Sequence, residues 1–325
     1  MIVTIVALAL AALVAPLSAA AQKADKGARI GYLRSGSMAD AMKYGEALRH
    51  GLRDLGYVEG QNLTIETRAA DGQYERLASL AAELIRLPVD VIVAGGSVAI
   101  RAARQATSTI PIVMAVSTDP VGAGLVASLA RPGGNVTGLS LGAGGQFAGK
   151  WVELLKEIVP GVSRVTALWD PSSRPHVLSF IRAAEEATQA AGLRLHQVQA
   201  QHVKEIDGAF AGMRGAEALI VLPSVQFSGQ RKRIVELAAK HRLPTIYEHR
   251  EFVDVGGLVS YGPNLMAVVQ RAAYYVDRIL KGAKPADLPV EQPRQFELIL
   301  NRKAARALGL TLSPSLLSRA DEVID

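Results

Sequence analysis

Residues 30–37 read Ile-Gly-Tyr-Leu-Arg-Ser-Gly-Ser. A short apolar run of β type, Ile30–Leu33, closes on the small-residue turn Ser35-Gly36-Ser37. Beyond the turn Met42, Leu48, Leu52 and Leu55 recur at helical spacing, an apolar stripe that can be buried only against a sheet. Strand, turn and amphipathic helix form the repeating unit of a parallel sheet covered on both faces. The unit recurs, with further strands predicted at Leu63–Thr67, Val89–Ala94, Ile112–Val116 and Val136–Leu139. Leu77, Leu80, Leu84 and Leu87 give a second helix its inner face.

The same rhythm then starts again. Strands are predicted at Val165–Trp169, Leu193–Val198, Ala218–Leu222, Leu258–Ser260 and Phe296–Leu300, with Val177, Ile181 and Ala184 facing inward from the first intervening helix. Leu55-Gly56 and Ala191-Gly192 each put a glycine where a helix needs a left-handed C-cap before the next strand. A chain of 325 residues is long enough to divide into two cores. The expected fold class is therefore α/β, two Rossmann-like doubly wound lobes joined by a hinge. The lobes are expected at residues 28–140 plus 262–284 and 141–261 plus 285–325, with hinges near Leu141–Gly145 and Tyr261–Pro263.

Met1 to Gln22 carry no Asp, Glu, Lys or Arg. Their apolar core is short for a membrane span, Pro16 interrupts it, and Ala19-Ala20-Ala21 supplies the small residues of a cleavage site. A secretory signal over residues 1–21 is expected, releasing a periplasmic protein. No cysteine occurs anywhere, so disulfides, thiolate metal sites and a lipid anchor on cysteine are excluded. The six histidines form no HExxH, and neither a metal nor a cofactor is expected. Net charge is +6, but the basic residues are scattered among acids and Arg231-Lys232-Arg233 is the only tight basic run. With no aromatic ladder or helix-turn-helix pattern beside it, that run reads as a solvated helix face and not a nucleic-acid patch.

In open parallel sheets ligands bind beyond the carboxyl ends of the strands. The residues there are alike in kind: Ser35-Gly36-Ser37, Gly95-Gly96-Ser97, Ser117-Thr118-Asp119-Pro120, Asp170-Pro171-Ser172-Ser173 and Ser224-Val225-Gln226. Hydroxyls and free backbone N–H groups at strand-to-helix turns suit the polar groups of a small solute. Aromatic residues that offer stacking faces fall near the same ends, among them Tyr247 and Tyr261. Asp119, Asp170 and Glu248 each have the charge to pair with a ligand ammonium. Asp119 before Pro120 also has the form of an N-cap with proline at N1.

Two catalytic motifs are nearly matched. Gly144 to Lys150 fit the start of a P-loop, but Trp151 stands where Ser or Thr must ligate magnesium. Gly95-Gly96-Ser97-Val98-Ala99 approaches the nucleophile elbow of a serine hydrolase. A secreted hydrolase using Ser97, with His241 or His249 as base, is the alternative reading. A ligand-responsive repressor would need a DNA-binding helix pair where this chain carries its export signal.

Arg29–Ser35, Gly56-Tyr57-Val58-Glu59-Gly60-Gln61-Asn62, Ser117-Thr118-Asp119-Pro120-Val121, Arg131-Pro132-Gly133-Gly134-Asn135-Val136-Thr137-Gly138, Leu243-Pro244-Thr245-Ile246-Tyr247 and Gly256-Gly257-Leu258-Val259-Ser260-Tyr261-Gly262 together resemble the ABC-transporter substrate-binding family that includes tryptophan/tyrosine-type binding proteins. The resemblance spans essentially the whole mature chain. It implies a type I periplasmic-binding fold and a non-enzymatic role in amino-acid transport. A small-molecule solute would be captured by lobe closure and delivered to an ABC permease at the inner membrane. The protein is expected to act as a monomer. It also implies that the cleft turns supply the contacts: Ser35, Gly36, Ser37, Gly96, Ser97, Thr118, Asp119, Asp170, Ser172, Ser173, Ser224 and Gln226, together with Tyr247, Glu248 and Tyr261. The chain departs from the pattern at Ser224-Val225-Gln226, where members that bind aromatic amino acids often place an acid.

Overall fold

The side chains of β1 (Ala28–Arg34) alternate between two apolar clusters, Ile30 and Tyr32 on one face of their sheet and Leu33 on the other. That alternation requires a sheet buried on both sides. In the computed structural model, which describes residues 27–142, 145–173, 176–293 and 295–325, β1 lies inside a five-stranded parallel sheet. Its partners are β2 (Leu63–Ala69), β3 (Val91–Gly95), β4 (Ile112–Val116) and β5 (Val136–Gly138), in the order β2-β1-β3-β4-β5. Helices α1 (Met38–Asp54), α2 (Leu77–Arg86) and α3 (Ser97–Ala106) cover it. The expected secretory signal, residues 1–21, lies outside the described residues.

The second sheet repeats the design with α4 (Gly145–Ile158) ahead of it. Its strands are β6 (Arg164–Trp169), β7 (Arg194–Gln199), β8 (Ala218–Val221), β9 (Thr245–Tyr247), β10 (Val259–Pro263), β11 (Phe296–Asn301) and β12 (Glu322–Ile324). They are ordered β12-β11-β10-β9-β8-β6-β7. All neighbours are parallel except β10 and β11. Between the strands lie α5 (His176–Ala190), α6 (Ile206–Gly212), α7 (Val225–Gly229), α8 (Arg231–Lys240), α9 (Arg250–Asp254), α10 (Leu265–Leu280), α11 (Arg302–Ala307) and α12 (Pro314–Arg319). Val165 and Ala167 join the cluster on one face and Leu168 that on the other. Among the described residues no helix is long and apolar enough to cross a membrane.

Helix α10 follows a strand of the second sheet yet packs on the first, against α1. Gly51 permits this, because a Cβ there would stand 2.4 Å from the Gln270 carbonyl oxygen. The chain thus passes from the first sheet to the second after β5 and returns at Asn264, whose side chain caps α10. It crosses again only after Leu288 and Val290 have packed on the first sheet. There Glu291 pairs with Leu139 in an isolated bridge and donates its N–H to the Gly138 carbonyl at 3.0 Å.

Two expectations need correction. The inner face of α1 is Ala41, Tyr44, Leu48 and Leu52, whereas Met42 and Leu55 are exposed. The buried row keeps the helical spacing, but the ring of Tyr44 occupies the place assigned to a Met. Gly45 and Gly51 also belong to this face, where close backbone approach replaces side-chain volume. The strands β9 and β12, three residues each, were also not anticipated. Gly56 and Gly192 do close their helices with φ of +90° and +73°. The following N–H groups reach back as a Schellman cap requires, Tyr57 to Leu52 at 2.9 Å and Leu193 to Thr188 at 2.8 Å.

Candidate ligand-binding site

The carboxyl ends of β1, β3 and β4 face those of β8 and β9 across a cleft, and a cavity of about 150 Å³ lies between them. Each strand delivers its residues by the same local logic. After β1 the chain turns through Ser35 and Gly36, and the Ser37 hydroxyl caps α1 by accepting the Asp40 N–H at 3.1 Å. After β3, Gly96 takes φ of +98° and releases Ser97 into the first turn of α3. A Cβ on Gly96 would fall 2.2 Å from the Ser35 hydroxyl, and one on Gly95 would fall 2.2 Å from Arg34 Nη1. The Gly95-Gly96 pair therefore makes the space that Arg34-Ser35 fills. After β4, the Thr118 N–H donates to Ser97 Oγ at 3.2 Å, and the two hydroxyls stand 3.3 Å apart.

From the opposite lobe come Pro223, Ser224, Val225, Ser228, Arg231, Glu248, His249 and Glu251. The Ser224 hydroxyl caps α7 and donates to Asp170 Oδ2 at 2.7 Å. Asp170 is buried and also takes the Ser172 N–H at 2.8 Å and the Ser172 hydroxyl at 2.6 Å. It anchors the loop and orients Ser224 without lining the cavity.

The lobes touch at the rim. Tyr44 donates to Glu251, Lys43 Nζ stands 3.7 Å from the same carboxylate, and Arg231 stands 3.6 Å from Asp40. Burial, with Glu251 close by, raises the Tyr44 hydroxyl well above its ordinary range. For Glu251 burial pulls upward, but His249, the Tyr44 hydroxyl, its own backbone N–H and Lys43 outweigh it and leave the carboxyl lowered. Glu248 is 3% exposed, and neither carboxylate oxygen accepts a hydrogen bond among the described residues. The His249 Nε2 atom stands 3.4 Å from that carboxylate. Burial raises the Glu248 carboxyl, His249 opposes the shift, and Glu251 adds to it.

Of the residues expected from sequence, the cavity is lined by Ser35, Gly36, Gly96, Ser97, Thr118, Ser224 and Glu248. Ser37 is the N-cap of α1 and Gln226 lies in the first turn of α7, and neither lines the cavity. Asp119 sits at φ +43° and caps its own turn by accepting the Gly122 N–H at 2.9 Å. Tyr247 is buried beneath the floor, stacked on Phe252 at 4.6 Å. Tyr261 packs beside the second-sheet core, and its carbonyl accepts the Trp151 indole N–H at 2.8 Å. Ser172 is tied to Asp170, and the Ser173 side chain lies outside the described residues. Sequence reasoning missed Arg34, Asp40, Tyr44, Val98, Arg231 and Leu265 as lining residues. Only Arg34 left a signal, a charge at the end of an otherwise apolar strand.

The hydrolase alternative finds no support. Ser97 faces Thr118, while His249 stands by Glu248, and His241 lies 5.9 Å from the Phe210 ring in the second-sheet core. Trp151, the residue that breaks the P-loop pattern, is fully buried and stacked on Phe147 at 6.0 Å. Among the described residues no cluster of His, Asp or Glu is placed to hold a metal ion. The arrangement is that of two facing rims of hydroxyls and backbone amides, with charged side chains meeting across them.

Comparison with known proteins agrees. A family model described as ABC transporter substrate binding protein matches residues 36–324. A protein of Clostridioides difficile (strain R20291) named tyrosine-binding protein is 26% identical over 260 residues, 80% of this chain and 74% of that one. A structure described as an ABC domain in complex with L-Trp from Streptococcus pneumoniae superposes with TM-score 0.86 at 28% identity, covering 92% of this chain and 100% of that one. A conserved domain protein from Vibrio cholerae O1 biovar El Tor gives the same TM-score, 0.86, at 27% identity, covering 92% of this chain and 100% of that one.

Proposed function

This chain belongs to the ABC transporter substrate-binding protein family, and from that premise we propose that it captures an aromatic amino acid in the cleft between its lobes. The observation that carries the reading is the cavity itself, lined from the strand ends of both sheets and spanned at its rim by Tyr44 and Glu251. The ligands in the names of the Clostridioides and Streptococcus relatives, tyrosine and L-Trp, support the aromatic class.

The proposed contacts are Ser35, Gly36, Gly96, Ser97 and Thr118 on one rim and Ser224 and Glu248 on the other. Glu248, buried beside His249 and accepting no hydrogen bond among the described residues, is the proposed partner of the ligand ammonium. Residues 28–140 with 264–291 form one proposed lobe and 141–263 with 292–325 the other; this moves the expected bounds, because Gly262 and Pro263 pair with β11 in the second sheet and Leu288 and Val290 pack on the first. Function is then thermodynamic: contacts from both lobes favour the closed form, and an inner-membrane permease reads the closure. No chemical step is required of the chain. Export by residues 1–21 to the periplasm, without a lipid anchor, and action as a monomer complete the proposal.

Native mass spectrometry of gently purified protein, followed by a thermal-shift panel of amino acids, tests it. A ligand at about 100 times its dissociation constant adds about 2.7 kcal/mol of stability. A melting curve that no amino acid moves would refute the reading.

A further inference from the structure

We propose that Arg34 defines the substrate class, its guanidinium receiving a carboxylate group of the bound solute. This deepens the solute-binding reading above and rests on it.

Arg34 ends β1 opposite Gly95 and lines the cavity. It is 9% exposed, yet Nε and Nη1 find no acceptor among the described residues and no ion pair joins it there. A guanidinium carries five N–H donors and stays charged, so burying it without an anion is unfavourable unless an anion arrives. Its surroundings hold it in place without satisfying it. The Tyr44 ring lies 4.6 Å from its central carbon, the Tyr32 hydroxyl is beside it, and the missing side chain of Gly95 leaves the space its Nη1 and Cδ occupy. A cation held against a ring face is still free to donate through its N–H groups.

Every other charge in the cavity is engaged differently. Arg231, the second arginine of the lining, stands 3.6 Å from Asp40 and donates to the Ser228 carbonyl at 2.7 Å. Glu251 is held by Tyr44 and Lys43. Glu248 stands by His249. Arg34 is thus the one arginine or lysine of the lining with no acidic partner among the described residues. The three carboxylates of the lining, Asp40, Glu248 and Glu251, oppose a multiply charged group such as a phosphate. A singly charged, planar carboxylate matches the guanidinium fork in shape and charge.

The test is calorimetric titration of ligand-stripped protein with L-tyrosine, L-tryptophan, aliphatic amino acids and simple aromatic carboxylates, each against its primary amide. The wild type is expected to bind its preferred acid at least about 30-fold more tightly than the amide, about 2 kcal/mol. R34Q is expected to bind acid and amide alike, and R34K to keep part of the preference, because charge remains while the fork is lost. The acid-to-amide ratio separates recognition from structure, since a merely structural loss weakens both compounds equally. The wild-type ratio alone also decides the matter should R34Q fail to fold. Equal binding of acid and amide by the wild type, or an undiminished preference in R34Q, would overturn the role of Arg34 and leave the solute-binding reading intact. A wild type that binds nothing in the panel overturns both.

Discussion

Tyr44, on α1, donates its hydroxyl hydrogen to the carboxylate of Glu251, on α9, across the cleft. The bond joins residues 207 positions apart in sequence and exists only when the lobes are together. Tyr44→Phe removes it and keeps the ring against Arg34. A hydrogen bond to a charged group contributes about 1.5–3 kcal/mol, so the expected loss of solute affinity is about 10- to 150-fold. The loss should appear mainly in the dissociation rate. Stopped-flow titration of the variant checks this, and an unchanged dissociation rate would remove the bond from the closing mechanism.

Glu248 makes the cleft sensitive to pH. Burial raises its carboxyl above the ordinary value of 4.5, against the opposing pull of His249. Between that value and the raised one, the native chain holds a proton that the unfolded chain has lost, so stability falls as pH rises through the window. A ligand ammonium beside the carboxylate favours the charged form, so binding releases this proton and tightens as pH rises through the same window. Calorimetry in two buffers of different ionisation enthalpy measures the release. The expected result is a proton released by the wild type within the window and none by Glu248→Gln.

Gly96 is required twice over, by its φ of +98° and by the Ser35 hydroxyl 2.2 Å from where a Cβ would sit. Gly124 supplies the control, with φ of +65° and nothing within 4 Å of an added Cβ. Gly124→Ala is expected to cost only backbone strain, about 1 kcal/mol. Gly96→Ala is expected to cost about 3 kcal/mol or more, because displacement of Ser35 adds to a backbone conformation, φ +98° and ψ 131°, that is more strained for a residue with a Cβ than that of Gly124. Denaturant unfolding compares them, and equal losses would show that the Ser35 contact yields freely.

Glu217 ties the start of β6 to the loop before it, accepting the Ser163 N–H at 2.7 Å and the Arg164 N–H at 3.1 Å. These backbone donors hold its carboxyl down at about 2. Because the folded value lies below the ordinary 4.5, the contribution is present above pH 4.5 and is lost as pH falls toward 2. Acid unfolding of Glu217→Gln should show less dependence on pH across that interval than the wild type. Matching acid limbs would mean that the carboxylate has the same partners in the unfolded chain.

Most of the fold was legible because buried strands announce themselves locally. The run Ile112–Val116 matches the observed β4 residue for residue, and the stripe Leu77, Leu80, Leu84 is buried as read. The three-residue strands β9 and β12 carry no such signal. In β12, Glu322 is exposed and its neighbours are half-buried, so neither alternation nor an apolar run marks it, and β9 is too short to show a period. The site was legible only in its turns. Ser35, Ser97, Thr118 and Ser224 follow strands, and their place is dictated by the strand before them. Tyr44, Arg231 and Glu251 lie on helices whose neighbours in the cleft come from the other lobe, a relationship no local pattern encodes. Tyr247 failed in the opposite sense, since its ring points beneath the sheet end into a core cluster with Phe252.

Closure around a solute is the centre of the account, and small-angle scattering reports it directly. Protein stripped of ligand by unfolding and refolding should scatter as an open, two-lobed particle. Adding L-tyrosine or L-tryptophan to saturation should shrink its radius of gyration to that of the arrangement described here, in which Tyr44 and Glu251 meet across the cleft. Scattering curves that superpose with and without the amino acids, at concentrations far above any plausible dissociation constant, would contradict it.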